Sequence, residues 1–170
     1  MGAEEHRQKA DRVQAGFAII TVSDTRTPET DENHHYLRER LERDGHHIVL
    51  YRIVRDEPQE IEAMLQDLAT LPEVQIALFN GGTGISPRDR TYDVIARHLE
   101  KTIPGFGELF RMLSYEEIGA AAMLSRATGG LYQGKLVFSM PGSNHAVRMA
   151  MEKLILPELN HLIWEISRQR

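Results

Sequence analysis

The chemistry of this chain concentrates in Asn80-Gly81-Gly82-Thr83-Gly84 and the residues just after it. Three glycines in four positions suit neither a strand nor a helix, so the chain must turn here. Lacking Cβ atoms, they let backbone N–H groups approach a ligand closely. Ser86, Arg88, Asp89, Arg90 and Thr91 follow, and they supply hydroxyls, cations and a carboxylate. Bare amides leading into a helix N-terminus form a cradle for an anion, because the amides and the positive end of the helix dipole act in the same direction. Two familiar phosphate loops are excluded by spacing. GxxxxGK[ST] requires a lysine where this chain carries Ser86 and Pro87, and GxGxxG requires a glycine where Pro87 stands. A plain turn with no ligand accounts poorly for so many glycines beside Arg88, Asp89 and Arg90.

Three other loops carry groups of the same kind. Residues 23–33 hold Ser23, Asp24 and Asp31, residues 55–58 hold Asp56, and residues 141–145 hold Pro141, Gly142 and Ser143. Together the four loops offer the Thr83, Ser86 and Ser143 hydroxyls and, among their carboxylates, Asp24, Asp56 and Asp89. No GxSxG elbow is present, which points away from acyl transfer. Donors plus carboxylates suit phosphate chemistry, in which carboxylates hold a divalent cation and the protein mainly positions reactants. The pairs His34-His35 and His46-His47 do not make a metal site on this pattern, because adjacent residues on an element point different ways. They are expected at the solvated surface.

The elements that must position these loops are readable from apolar periodicity. Residues 17–23, 46–54 and 74–79 read as strands, the first and last as buried parallel strands. Residues 34–44 read as a helix stopped by Gly45. Asp56 with Gln59 matches a capping box for a helix over 59–71, with Ile61, Met64, Leu65 and Leu68 on one face. Thr91 is the expected N-cap of a helix starting at Tyr92, whose stripe is Val94, Ile95 and Leu99. Residues 102–107 read as a turn, and Ser114 with Glu117 as a second capping box. Residues 127–132 and 135–140 flank Gln133-Gly134 and predict a tight hairpin. A helix from Ala146 is expected to break at Pro157, which starts another. This alternation predicts a three-layer α/β/α architecture, with right-handed crossovers and a mostly parallel sheet ending in one antiparallel edge strand. The four loops then gather at the carboxyl edge of the sheet, where open α/β folds bind ligands.

Composition limits the remaining options. At 170 residues, with 41% hydrophobic and 26% charged residues, the chain can bury a real core as a single domain over residues 15–170, preceded by a flexible polar arm over residues 1–14. A formal net charge of −5 without a basic cluster argues against nucleic acid as a partner. No apolar run approaches the ~18 residues of a membrane span. The absence of cysteine removes disulfides, thiolate metal sites and a cysteine nucleophile, and suits a cytoplasmic protein.

The words GGTGISPRD, PGFGELFR, LSYEEIG, LSRA and MPGS, in this order, resemble the MoaB/Mog family of molybdenum cofactor biosynthesis. The resemblance runs over nearly the whole chain beyond its first residues. It implies a molybdopterin-binding-like fold and adenylylation of molybdopterin by ATP and Mg2+ with release of pyrophosphate. The substrate's own phosphate is then the nucleophile. Asp56 and Asp89 match the family's two aspartates and are the implied catalytic and Mg2+-holding residues. Gly81, Gly82 and Thr83 would cradle a phosphate, and Pro141, Gly142 and Ser143 would line the pocket. Ser23, Asp24, Asp31, Asn80, Gly84, Ser86 and Thr91 complete the implied substrate-binding set. A homotrimer or homohexamer is implied as well. The chain departs from the family at Asn80, usually Thr or Ser, at Asn33-His34, usually Ser-Gly, at Thr91-Tyr92-Asp93, usually Thr-Pro-Glu, and at Asn144-His145, usually Pro-Lys. These departures keep a second reading open, a non-catalytic molybdopterin-binding carrier or scaffold of the same pathway.

Overall fold

The computed structural model describes residues 13–168. The arm expected over residues 1–14 therefore lies outside the described residues, except for Val13 and Gln14. Six strands form one sheet: β1 (Gly16–Val22), β2 (His47–Val54), β3 (Ile76–Asn80), β4 (Lys101–Thr102), β5 (Thr128–Tyr132) and β6 (Lys135–Met140). Their spatial order is β2-β1-β3-β6-β5-β4. The first four in that order are mutually parallel. β5 runs antiparallel to β6, and the two-residue β4 pairs antiparallel along its outer side. The mostly parallel sheet with an antiparallel edge is thus as expected. The turn between β5 and β6 places Gln133 at φ 47° and Gly134 at φ 73°, as the two-residue hairpin requires.

Helices cover both faces. One face of the sheet carries α1 (Glu32–Arg43), α4 (Pro104–Ile118), α5 (Asn144–Ala150) and α6 (Leu156–Ser167). The other carries α2 (Pro58–Ala69) and α3 (Thr91–His98). Alternate residues of β1 divide between the two cores. Phe17 and Ile19 pack with Leu37, Leu41, Phe106, Phe110 and Phe138. Ala18 and Ile20 pack with Ile61, Leu65, Leu68, Val94 and Ile95. Burial on both faces is why these strands read as unbroken apolar runs. Register then aligns the ends that matter. Thr21 pairs with Asn80, Asn80 with Met140, and Val22 with Val54, so four loops leave the sheet from one edge.

Several local expectations are corrected. Asp56 does not cap α2. The cap position is Glu57, which makes no side-chain cap bond, and Pro58 occupies the first turn. Ser114 does not begin a helix, because α4 is continuous through it. Residues 102–107 are not a turn. Pro104 starts α4, since its fixed φ is already helical and its missing N–H is not needed at that position. After Gly119, at φ 67°, the chain winds as a 3-10 helix, Gly119–Leu124. Pro157 does not break the C-terminal helix. A π-helical turn, Met151–Ile155, joins α5 to α6, and Pro157 falls in the first turn of α6. Two of the four expected surface histidines are packed instead. The His34 ring stacks on Tyr51 at 3.5 Å, and His46 Nδ1 accepts the Ala15 N–H at 3.1 Å.

Candidate functional site

Gly81 fastens the glycine loop to the sheet. Its N–H donates to Met140 O at 2.9 Å, its φ is 114°, and a Cβ there would overlap Val22 O. Gly81 is therefore not one of the bare amides expected across residues 81–84. Among the described residues, no protein acceptor lies on the N–H groups of Gly82, Thr83, Gly84 or Ile85. The loop thus carries a run of four unpaired donors, from the buried Thr83 to the exposed Ile85 and including both glycines between and before them, shifted by one residue from the expectation.

Two carboxylates flank this run. Asp56, only 7% exposed, accepts the Arg90 N–H at 3.0 Å and the Thr91 hydroxyl at 3.2 Å on Oδ1. It thereby holds the cap residue and the first residue of α3 from across the sheet edge. Thr91, the expected cap, is instead the first helical residue and a donor to Asp56. The Asp56 Oδ2 lies 2.5 Å from where a Cβ of Gly82 would stand, so only glycine fits beneath it. Burial pushes the Asp56 pKa up, with the charge of Asp89 acting in the same direction, while the Arg90 amide and the Thr91 hydroxyl oppose it. Asp89 closes its own turn. Its Oδ2 accepts the Ser86 N–H at 3.1 Å, its N–H donates to Ser86 O at 2.9 Å, and Oδ2 lies 2.8 Å from a Cβ position on Gly84. Above them, Arg88 donates to Asp24 at 2.8 and 2.9 Å and pairs with Glu57. The Arg88 hydrogen bond holds the Asp24 carboxyl below its usual range.

The floor is a chain of amides. Asn33 and Asn80 are each 1% exposed. Asn33 Nδ2 donates to Asn80 Oδ1 at 2.9 Å and to Gly142 O at 2.7 Å, and Asn33 Oδ1 accepts from Asn144 Nδ2 at 3.1 Å. Asn80 Nδ2 in turn donates to Thr21 Oγ1 at 3.2 Å, and Arg148 Nε donates to Asn144 Oδ1 at 2.7 Å. Three positions that depart from the family words are therefore bonded to one another. They tie the loop after β1, the glycine loop and the loop after β6 together. Gly142 comes so close that a Cβ on it would lie 3.3 Å from Gly81 Cα.

The remaining expected residues divide into two groups. Thr83 is buried, Ser86 is exposed, and Pro141 is half-exposed, all at this edge. Three others have their oxygens taken by neighbouring groups of the chain. Ser23 Oγ accepts the N–H groups of Thr25 and Arg26, and Ser143 Oγ caps α5 through the Ala146 N–H at 3.2 Å. Asp31 is fully buried, with its carboxylate accepting the His34 N–H at 3.1 Å and the Tyr51 hydroxyl at 2.7 Å. Sequence reasoning did not assign Asn33, Glu57 or Arg126 to the site. The only sequence signals were the departure at Asn33 and the LSRA word around Arg126.

Residues 18–161 match the family described as probable molybdopterin binding domain. Molybdenum cofactor biosynthesis protein B of Halalkalibacterium halodurans is 47% identical over 171 residues, covering 100% of both chains. The protein of the same name from Bacillus cereus is 49% identical over 170 residues, covering 99% of this chain and 100% of that one. The chain belongs to the MoaB/Mog family. A crystal structure of molybdenum cofactor biosynthesis protein B superposes on this MoaB-family chain with a TM-score of 0.90 at 49% identity, covering 94% of this chain and 99% of that one. The tungsten cofactor synthesizing protein MoaB from Pyrococcus furiosus gives 0.80 at 34% identity, covering 90% and 97%.

Among the described residues, no group of three or more His, Asp or Glu side chains is arranged to hold a metal ion. Of the carboxylates at this edge, Asp56 and Asp89 are the pair that would hold the Mg2+ that the family resemblance implies. That ion takes one or two carboxylates and fills its octahedron with water and substrate phosphate oxygens.

Two predictions follow from this geometry. Gly81→Ala loses about 2 kcal/mol or more in urea unfolding, whereas Gly134→Ala loses about 1, because both have positive φ but only Gly81 faces a carbonyl within reach. The second concerns pH. The folded pKa of Asp56 is raised, so the stability it contributes is fully present below the unfolded value of about 3.9 and is lost as pH rises through the folded value. The Tm of the wild type relative to Asp56→Asn therefore falls as the pH rises above about 4. Parallel curves would contradict this.

Proposed function

We propose that this protein binds molybdopterin and catalyses its adenylylation by ATP. The observation that carries the reading is the run of unpaired amides from Gly82 to Ile85, set between Asp56 and Asp89. Amides alone would suit any anion. Amides beside two carboxylates suit an anion that brings a divalent cation, since the cation offsets the repulsion between phosphate and carboxylate. When bound, Mg2+ on Asp56 and Asp89 would spread the phosphate charge as a new P–O bond forms. The terminal phosphate oxygen of molybdopterin attacks the α-phosphorus of ATP, and pyrophosphate leaves with the electron pair of the broken P–O bond. No protein nucleophile is required. The loop amides hold a phosphate, and the amide chain through Asn33 keeps the two facing loops at fixed separation.

One observation favours the second reading, a molybdopterin carrier or scaffold without catalysis. Arg88, one of the two cations that follow the glycine loop, is already paired with Asp24 and Glu57. Incubation with molybdopterin, ATP and Mg2+ separates the readings. Pyrophosphate release supports the transferase, and tight pterin binding without release supports the carrier. Asp89→Asn is expected to lower the release rate by about a hundredfold or more. The Tm stays close to wild type, because the Asn Oδ1 can still accept the Ser86 N–H.

A homotrimer or homohexamer is part of the same proposal. Leu109, Met112, Tyr115, Ile118, Met123 and Leu124, all between 46% and 77% exposed, line α4 and the 3-10 helix after it and supply apolar area for a second copy. Light scattering at micromolar concentration is expected to give a multiple of the 19.4 kDa chain, and Tyr115→Glu is expected to shift it towards one chain. A wild-type monomer would contradict the assembly.

A further inference from the structure

Arg126 belongs to the LSRA word, and nothing above gives it a role. It lies beyond the 3-10 helix Gly119–Leu124, just before β5, and its backbone is fixed from one side. Arg111 Nη1 donates to Ala127 O at 3.0 Å and to Ser125 O at 3.4 Å, the carbonyls flanking Arg126. From there Arg126 reaches the rear of the glycine loop. Its backbone N–H donates to Thr83 O at 3.2 Å. Its Nε donates to Gly84 O at 3.0 Å and Thr83 O at 3.3 Å, and its Nη2 to Gly84 O at 2.6 Å and Asp89 O at 3.2 Å. The guanidinium is held in plane by Asp93, at 2.9 and 3.2 Å, and by the Tyr92 ring, whose centroid lies 4.6 Å from Arg126 Cζ.

A trans peptide is planar, and its C=O and N–H point in opposite directions. The carbonyl of Thr83 directed at Arg126 therefore turns the Gly84 N–H to the other side. The carbonyl of Gly84 does the same for the Ile85 N–H, and that of Asp89 for the Arg90 N–H. The third case is visible directly, because the Arg90 N–H donates to Asp56 Oδ1 at 3.0 Å. The first two amides are among the donors with no acceptor among the described residues.

We propose that Arg126 is the positioning residue of the anion cradle. By holding three loop carbonyls behind the loop, it directs the Gly84 and Ile85 amides at a phosphate or diphosphate group and sets the Arg90 amide on Asp56. It also keeps three carbonyl dipoles from facing the anion. Only the identity of the ligand rests on the function proposed above. Lysine cannot replace it, since one ammonium cannot span three carbonyls and a carboxylate in a plane.

The test compares wild type, Arg126→Lys and Arg126→Ala. In the ligand-free protein, hydrogen exchange at the Arg90 amide is expected to quicken about tenfold or more in both variants, while amides in β1 and β3 keep their protection. Unchanged protection at Arg90 overturns the positioning role. Titration with inorganic pyrophosphate, with and without Mg2+, is expected to show affinity about tenfold or more weaker in both variants, with added guanidinium ion restoring part of it in Arg126→Ala. A lysine variant that binds as tightly as wild type overturns the proposal. A wild type that binds no pyrophosphate overturns the phosphate assignment and the function proposed above, while the Arg90 exchange still decides whether Arg126 sets the loop.

Discussion

The site depends on one buried carboxylate reaching from the end of one strand to the start of a helix that follows another. Asp56 leaves the sheet after β2, yet its oxygen receives the N–H of Arg90, just before α3, and the hydroxyl of Thr91, the first residue of α3. That contact fixes how the glycine loop passes between them, because Gly82 runs under the same carboxylate with no room for a side chain. It also places an acid of raised pKa against the unpaired amides. Removing a carboxylate from water disfavours its charge, and two donors recover only part of that loss. A cation brought by a phosphate ligand would supply the rest. The features that make Asp56 expensive to bury are thus the same ones that suit it to a metal–phosphate site.

Beneath this contact the polar groups are neutral. Asn33, Asn80 and Asn144 link three loops without burying a charge, and the two fully enclosed amides satisfy one another and the Gly142 carbonyl. A satisfied amide chain in a low-dielectric floor is rigid, since breaking any link leaves a buried donor or acceptor unpaired. It also gives three of the positions that depart from the family words one shared structural role, as donor meeting acceptor.

Three of the arginines near the site, Arg88, Arg111 and Arg126, bind the protein itself. Arg88 bridges Asp24 and Glu57 at the exposed rim, where ion pairs orient loops but stabilise little. Arg126 and Arg111 bind backbone carbonyls behind the loop. Main-chain N–H groups and the start of α3 add fixed partial charge to that of Arg90, whose guanidinium has no partner among the described residues.

Much of the architecture was legible in the order of residues. Apolar runs bounded by turn residues marked the strands, Gln133-Gly134 marked the hairpin, and the glycines marked the loop at the sheet edge, because each of these signals is local and repeats at the period of its own element. The family words further singled out Asp56 and Asp89. What local spacing could not decide was which partner each polar group would take. Asp56 and Gln59 have the spacing of a capping box, yet Pro58 removes a donor from the first turn of α2, and Asp56 instead took the N–H of Arg90 from across the sheet edge. Gly81 looked like a bare amide and was taken by Met140 O. Thr91 looked like a cap and became a donor, and Asn33 stood out only as a departure from the family and became the link between loops. The sequence by itself determined the elements, their order and the set of groups gathered at one edge. Only the tertiary structure decided how those groups pair, because a hydrogen bond goes to the nearest well-aligned partner in space, and parallel crossovers bring together residues that are far apart along the chain.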